Sequence, residues 1–318
     1  MDWQLLKQIG RKVYQLRDWK DYKRYYVFLA RCKLNEKLAN EHLNFFLSDP
    51  QRKKALLGTP WLYDQVTRQV FYKDSNFEER ASLVQKHLLY LEQNFKPEFS
   101  EEIYEKGRRI LLWEDSFEDK PLNLYMVFRD GQQKEGCISI ELIYDSTDLE
   151  HTDWAYGTHV YQIMFLFGDG KRTGNALDQE HLQINIGALQ GLAGGNEFIK
   201  KLTKHYFGYR PKNLIMYSLR CMAEFLNAKK IIAVSNSGYY AMNHLRMNRK
   251  LKVDLNNFWE ECNGQELADK RFFEIPVEEH RKDMSELKPS KRAQHRRRFE
   301  KMDDIKAQIE KNLGLWMK

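Results

Sequence analysis

The sequence is poor in the residues that mark several large protein classes. Of its 318 residues only seven are proline, which excludes collagen-like and proline-rich chains. Four cysteines (Cys32, Cys137, Cys221, Cys262) are far apart and form no CxxC, so they are read as free thiols in a reducing cytoplasm. No apolar run approaches the 18 or so residues of a membrane span, and stretches such as Tyr161 to Phe167 are strand-length. The opening MDWQLLKQIGRKVYQ lacks the unbroken apolar core of a secretion signal, which makes the cytoplasm the expected location. There is no HExxH, no Walker A loop, no GxGxxG and no GxSxG, so neither a metal nor a serine nucleophile is expected.

Apolar residues make up 42% and aromatic residues 13% of the chain, enough for a large packed core. The net charge of +7 is unevenly spread. Residues 1–60 hold 13 Lys/Arg against 6 Asp/Glu, and residues 281–318 hold 12 against 6, which leaves the middle acidic. Basic ends favour a polyanionic partner, although exposed helix faces often carry such charge with no partner.

The first 115 residues read as helices. Leu5, Leu6, Ile9, Val13 and Leu16 recur at helical spacing, Tyr22, Tyr25, Tyr26 and Leu29 follow, and Asp49-Pro50 is a stop. Ser75 to Glu78 reads as a capping box ahead of an apolar stripe that includes His87, read as a satisfied core histidine. From about residue 121 the period changes to that of strands: Leu122 to Phe128, Cys137 to Tyr144, His159 to Phe167 and His181 to Leu189, an antiparallel meander. A glycine-rich joint then leads into a helix capped by Asn196, a second helix opened by Pro211, a buried strand Ile231 to Asn236, a short helix over 238–247 and a late strand at Phe272 to Ile275. Residues 286–312 read as a basic helix. The expected class is α+β, a mostly antiparallel mixed sheet flanked by helices, divided into a helical region over 1–115, an α+β domain over 116–280 and a basic helical segment over 281–318.

The joint Gln190-Gly191-Leu192-Ala193-Gly194-Gly195 is the strongest local signal. A strand running through small residues into a helix start leaves backbone N–H groups free to hold a phosphate, and the same pattern also serves as a plain turn. Acid–base candidates come from position. Glu141 lies mid-strand, where it faces either a cleft or solvent; His159 and His181 each begin a strand; Tyr239 and Tyr240 follow the Ser-Asn end of the buried strand, where a general acid would stand. In the tail, Lys288, Arg292, Arg296, Arg297 and Arg298 form a cationic group suited to an anionic membrane surface, with nucleic acid the least favoured partner.

Two resemblances add to this. The run of four antiparallel strands, glycine-rich loop, helix and buried strand ending in Ser-Asn, with the stretch AEFLNAKKIIAVSN, resembles the Gcn5-related N-acetyltransferase (GNAT) fold over about residues 120–250. That likeness implies coenzyme A or acyl-CoA, or an acyl-carrier thioester, held at Gln190, Gly191, Gly194, Gly195, Asn196 and Asn236. Ala193 stands where the family pattern has its first glycine. It leaves Glu141, His159 and Tyr240 as catalytic candidates for acyl transfer to an amine or hydroxyl acceptor. At sequence level, IGALQG (186–191), LTKHYFGYRPKNL (202–214), AVSN (233–236), NNFWEECNG (256–264) and SKRAQHRRRFEKMDDIKAQI (290–309) look like the bacterial VirK/YbjX family. That resemblance implies a Gram-negative bacterial protein linked to virulence and antimicrobial-peptide tolerance through the envelope, at the cytoplasmic side or peripheral at the inner membrane. It supplies no catalytic residues.

Overall fold

A computed structural model describes residues 1–129, 134–152, 155–174, 176–242 and 254–318. The chain opens with short helices: α1 (Trp3–Tyr14), α2 (Trp19–Leu34), α3 (Glu36–Leu47), α4 (Pro50–Gly58), α5 (Trp61–Thr67), α6 (Phe77–Asn94) and α7 (Pro97–Ser100). Several starts have a local cause. Asp49 ends one helix and begins the next: its carboxylate accepts from the amides of Gln51 and Arg52, and Pro50 occupies the first turn of α4. The capping box before α6 is present but lies one residue later than its Ser75–Glu78 reading, with Asn76 and Glu79 as the reciprocal pair. The stripe Leu6, Ile9 and Val13 is core, packed inside the helical layer.

An eight-stranded sheet follows, in spatial order β1 (Ile110–Phe117), β2 (Lys120–Val127), β3 (Ile138–Tyr144), β4 (Thr158–Gly168), β5 (Gln183–Gly191), β6 (Lys230–Val234), β8 (Phe272–Ile275) and β7 (Gln265–Glu266). All neighbours are antiparallel except β5 and β6, which run parallel because α8 (Asn196–His205) and α9 (Pro211–Phe225) carry the chain back between them. The α+β class and the mostly antiparallel sheet are therefore as the sequence reads. The start of the sheet is not: Ile110–Phe117 is a strand inside the stretch that reads as helical. Its sequence ILLWEDSF joins an apolar run to three polar residues, and pairing with β2 selects the extended form. Of the short helix expected over 238–247, residues 243–247 lie outside the described residues, and 236–242 form turns.

One face of the sheet carries Trp113, Leu124, Leu142 and Tyr161, which stand opposite one another across β1 to β4. Here α9 and α11 (Pro289–Gly314) pack: Trp113 Nε1 donates to Ser218 Oγ at 3.1 Å, Asn312 donates to the Leu112 carbonyl at 3.0 Å, and Tyr217 donates to the Met302 carbonyl at 3.0 Å. α6 meets β4 beyond the end of β3. His87 stacks on Phe167, its Nδ1 accepts the Phe167 amide at 3.2 Å, and its Nε2 lies 2.7 Å from Tyr104 Oη. It is the satisfied core histidine that its place in the stripe implied, and burial pushes its pKa down to about 3.

Candidate functional site

Three groupings follow from this frame. The first is a polar row on the sheet face opposite Trp113. Register places Tyr125 beside Glu141, Glu141 beside Gln162 and Gln162 beside Gln190, across β2, β3, β4 and β5. Strict alternation along β4 would put His159 on the other face, with Tyr161. A bulge at Val160 instead pairs His159 with Ile143 and turns it toward Glu141. Glu141 is 1% exposed. Ser139 Oγ donates to it at 3.2 Å, Arg129 makes a close ion pair with it, and His159 Nδ1 lies 3.2 Å from its other oxygen. Arg129 also donates to Gln162 at 3.1 Å, and Gln162 donates to Gln190 at 2.8 Å. Burial pushes the Glu141 pKa up, but the His159 hydrogen bond and the Arg129 charge outweigh it, and the net direction is down. Glu141, His159 and Gln190 are thus brought into one buried network that holds a carboxylate ionised.

The second grouping lies where β5 outruns the shorter β6. β5 pairs with β6 over Gln183 to Ile186; β6, paired with β8 from Ile231 onward, ends one residue later at Val234 with the Ser235 amide donating to the Arg271 carbonyl, while β5 continues to Gly191 against β4 alone. Residues 134–136 pass across the strands at this point. A Cβ on Gly187 would lie 1.7 Å from the carbonyl oxygen of Glu135, so only glycine admits this crossing. The Glu135 side chain is 3% exposed and accepts a hydrogen bond from Tyr239 Oη at 3.0 Å. Burial pushes its pKa up to about 7, tempered by the Tyr239 donor and the Lys134 charge. Burial and the Glu135 charge push Tyr239 well above the ordinary phenol range, so it stays protonated.

Beside Glu135 is a cavity of about 250 Å³, walled by Phe71, Tyr72, Phe272, Asn185 and the Lys230–Glu274 ion pair, with Arg172 among its lining residues. The buried Nδ2 of Asn185 has no hydrogen-bond partner among the described residues. A concave site with an acid poised near neutrality and an open donor is the usual form of a small-molecule site.

The third grouping is the glycine-rich joint. Gln190 and Gly191 end β5, and the Leu192 amide donates to the Val160 carbonyl at 2.9 Å. Asn196 is the first residue of α8, with Gly195 rather than Asn196 in the capping position. Gly194 is exposed, has φ of +74° and has nothing within 4 Å of where a Cβ would sit. Asn236 does not face this turn. Its side-chain carbonyl accepts the Leu255 amide at 2.8 Å and its Nδ2 donates to Asp254 at 2.8 Å, which pins the start of α10 (Leu255–Glu261). Tyr240 packs edge-on against Tyr239, with ring centroids 5.0 Å apart; it is Tyr239 that reaches Glu135.

In the tail, Arg298 turns inward and donates to the Phe207 carbonyl at 2.7 Å, while Lys288, Arg292, Arg296 and Arg297 are exposed. All four cysteines are buried and free, and burial raises each thiol, so none is a ready thiolate. Among the described residues no helix is long and apolar enough to cross a membrane.

This chain belongs to the family described as a protein of unknown function, DUF535, which matches residues 17–311 and is the VirK/YbjX group. It is 26% identical over 287 residues to an uncharacterized protein, YbjX, of Escherichia coli K12, covering 89% of this chain and 81% of that one. It is also 29% identical over 132 residues to an uncharacterized protein of Haemophilus influenzae, covering 41% of this chain and 44% of the other. No solved structure matches.

Glu135 was missed by sequence reasoning because RDGQQKEG reads as a polar turn. The available signal was Gly187, a glycine in the middle of the otherwise large-residue strand Ile184-Asn185-Ile186, which marks a close backbone approach.

Proposed function

We propose that the chain is an acyltransferase of GNAT-like arrangement. It takes the acyl group of a thioester, acyl-CoA or an acyl-carrier thioester, and delivers it to an amine or hydroxyl acceptor in envelope maintenance. The observation that carries this reading is the end of β5–β6 pairing at Ile186 and Ala233, where Glu135 lines the cavity and Tyr239 donates to its carboxylate. The turn at 191–195 stands roughly 13 Å further along β5, at 3.3 Å per residue from Gly187. The Ala193 and Gly194 amides and the start of α8 would hold the donor's phosphates, since the Leu192 amide is taken by Val160, and Gly194 leaves the approach clear.

Glu135, half-ionised near neutrality, takes the proton of the attacking amine or hydroxyl as the new acyl bond forms. The tetrahedral intermediate then collapses with cleavage of the carbon–sulfur bond. Tyr239, still a phenol, gives its proton to the departing thiolate. The proton on Glu135 passes to the Tyr239 oxygen along the 3.0 Å hydrogen bond that joins them, which restores both groups. The Glu141 network lies on the same strands and fixes their register without touching the reacting atoms.

A second reading, a non-enzymatic protein that binds an envelope or RNA partner through its basic ends, is favoured by the exposed Arg296 and Arg297 on α11. The experiment that separates the two is release of free thiol from acyl-CoA or an acyl-carrier thioester, with hydroxylamine as a small surrogate acceptor. The acyltransferase reading expects turnover that falls about 10²–10⁴-fold in Glu135→Gln. Absence of turnover with every donor, or turnover indifferent to Glu135→Gln and Tyr239→Phe, would remove it.

A further inference from the structure

α2 has two apolar faces. Tyr25, Phe28 and Cys32 are buried against the other N-terminal helices, and Gly10 of α1 faces the Tyr25 ring so closely that a Cβ would lie 2.9 Å from it. At 100° per residue the opposite side of the helix carries Trp19, Tyr26, Ala30 and Leu34 in one line, with Val27 beside it. These are open to solvent: Trp19 is 69% exposed, Tyr26 63% and Leu34 84%. An ordinary surface helix is polar on that side. The line is framed by cations, with Lys20, Arg24 and Arg31 along one flank, Lys33 on the other and Lys23 within it. Arg31 donates to the Thr67 carbonyl at 3.0 Å and Lys33 pairs with Glu36 at 2.6 Å, so Lys20 and Lys23 are the charges most open to a partner. Residues 17–34 hold six Lys/Arg against two Asp. One of those, Asp18, is spent capping the helix and the other, Asp21, faces Arg24 at 3.4 Å.

We propose that the outward face of α2 is a docking surface for an anionic lipid bilayer, on which the helix lies flat with Trp19, Tyr26 and Leu34 in the headgroup–acyl boundary. Three properties select this occupant. Exposed tryptophan and tyrosine on one line belong at a membrane interface, where an apolar ring with a polar edge is best solvated. Flanking lysines and arginines extend their stems along the apolar strip and set their charges among lipid phosphates. The strip is the outer side of one helix, a ridge, whereas the bases of a single-stranded nucleic acid need a platform within a basic channel. A second copy of the chain would bring like-charged flanks together, which costs energy. The helix has 16 residues and five cations, so it lies on a bilayer and does not cross it.

The test is co-sedimentation of the full chain with vesicles of phosphatidylcholine alone and of phosphatidylcholine with phosphatidylglycerol at a 3:1 ratio. Three variants accompany the native chain: Trp19→Ser/Tyr26→Ser/Leu34→Ser, Lys20→Glu/Lys23→Glu, and Arg296→Glu/Arg297→Glu in the tail. All of these side chains are exposed, and thermal melts check that each variant is folded. The native chain should bind the anionic vesicles preferentially. The triple serine variant should lose about tenfold or more in partition coefficient, and the Lys20/Lys23 reversal at least about 25-fold, roughly fivefold per cation. The tail variant should bind nearly as the native chain does. The proposal is overturned by any of four results: no sedimentation with anionic vesicles, equal sedimentation with neutral ones, loss confined to the tail variant, or concentration-dependent dimerisation that the triple serine variant abolishes. None of these outcomes bears on thioester binding at the sheet.

Discussion

Replacing Glu135 by glutamine should make the protein more stable above neutral pH and remove the pH dependence that this carboxyl supplies, while Glu92, whose pKa burial also raises, acts alike in both proteins. The carboxyl titrates near 4.5 in the unfolded chain and near 7 in the fold, where burial disfavours its charge. A raised folded pKa means that the fold holds the proton more tightly. Its stabilising contribution is complete below pH 4.5 and is lost as pH rises through 7. Two to three units at about 1.4 kcal/mol each give roughly 3 kcal/mol in all, most of it between pH 5 and 8.5. For a chain of this size 1 kcal/mol corresponds to roughly 2 °C of Tm, so the difference in Tm between Glu135→Gln and the native protein should widen by about 5 °C across that range. Gln keeps the shape and an acceptor for Tyr239 Oη, so the variant isolates the charge. Thermal melts of both proteins at half-unit steps of pH make the measurement. A difference in Tm that stays flat with pH would refute the reasoning, because it would place water beside Glu135.

Other expectations follow from the same geometry. Arg129→Met leaves the buried Glu141 carboxylate without its cation and should cost about 3–5 kcal/mol in chemical denaturation; a loss under 1 kcal/mol would mean that the network is hydrated. His42 and His87 remain neutral in the fold to about pH 3, whereas the unfolded chain protonates near 6.5. Their depressed values give stability that is present above pH 6.5 and lost as pH falls toward 3, at up to about 1.4 kcal/mol per pH unit for each. His42→Leu should make the acid limb of the stability curve shallower; an unchanged limb would show that this ring is already solvated. Gly187→Ala drives a methyl group into the Glu135 backbone and should cost about 1–3 kcal/mol or more, and the alkaline loss of stability assigned to Glu135 should disappear with it.

Much of the fold was legible because its signals are local. The meander strands show alternation or continuous apolar runs between turns, and Pro211 marks the start of α9 within the residue pattern itself. Glu141 was legible as a mid-strand carboxylate but not its side, and Gln190, which reads as the start of the glycine-rich joint, belongs to β5 and meets the Glu141 row only through register. His159 joins them only through the bulge at Val160, which alternation does not reveal. β1 was hidden because its single apolar run suits a helix as well as a strand until β2 pairs with it. Glu135 was hidden for a different reason. Nothing in Lys134-Glu135-Gly136 is apolar, and its raised pKa arises from burial by what folds onto it, with Gly187 beneath its backbone, while the Tyr239 hydrogen bond pulls the other way. Tyr26 likewise reads as one with Tyr22, Tyr25 and Leu29 at helical spacing, and only the packing of Tyr25, Phe28 and Cys32 shows that it faces outward with Trp19 and Leu34.

The measurement that bears most directly on the thioester site is calorimetric titration of acyl-CoA into the native chain, Glu135→Gln and Gly194→Asp. Gly194 is exposed with open space around it, so an aspartate there adds bulk, backbone strain of about 1 kcal/mol and a negative charge where the donor's phosphates are proposed to sit, without disturbing the core. The account predicts one saturable site on the native chain, retained in Glu135→Gln and lost in Gly194→Asp. No heat of binding with the native chain, or binding that Gly194→Asp leaves intact, would contradict it.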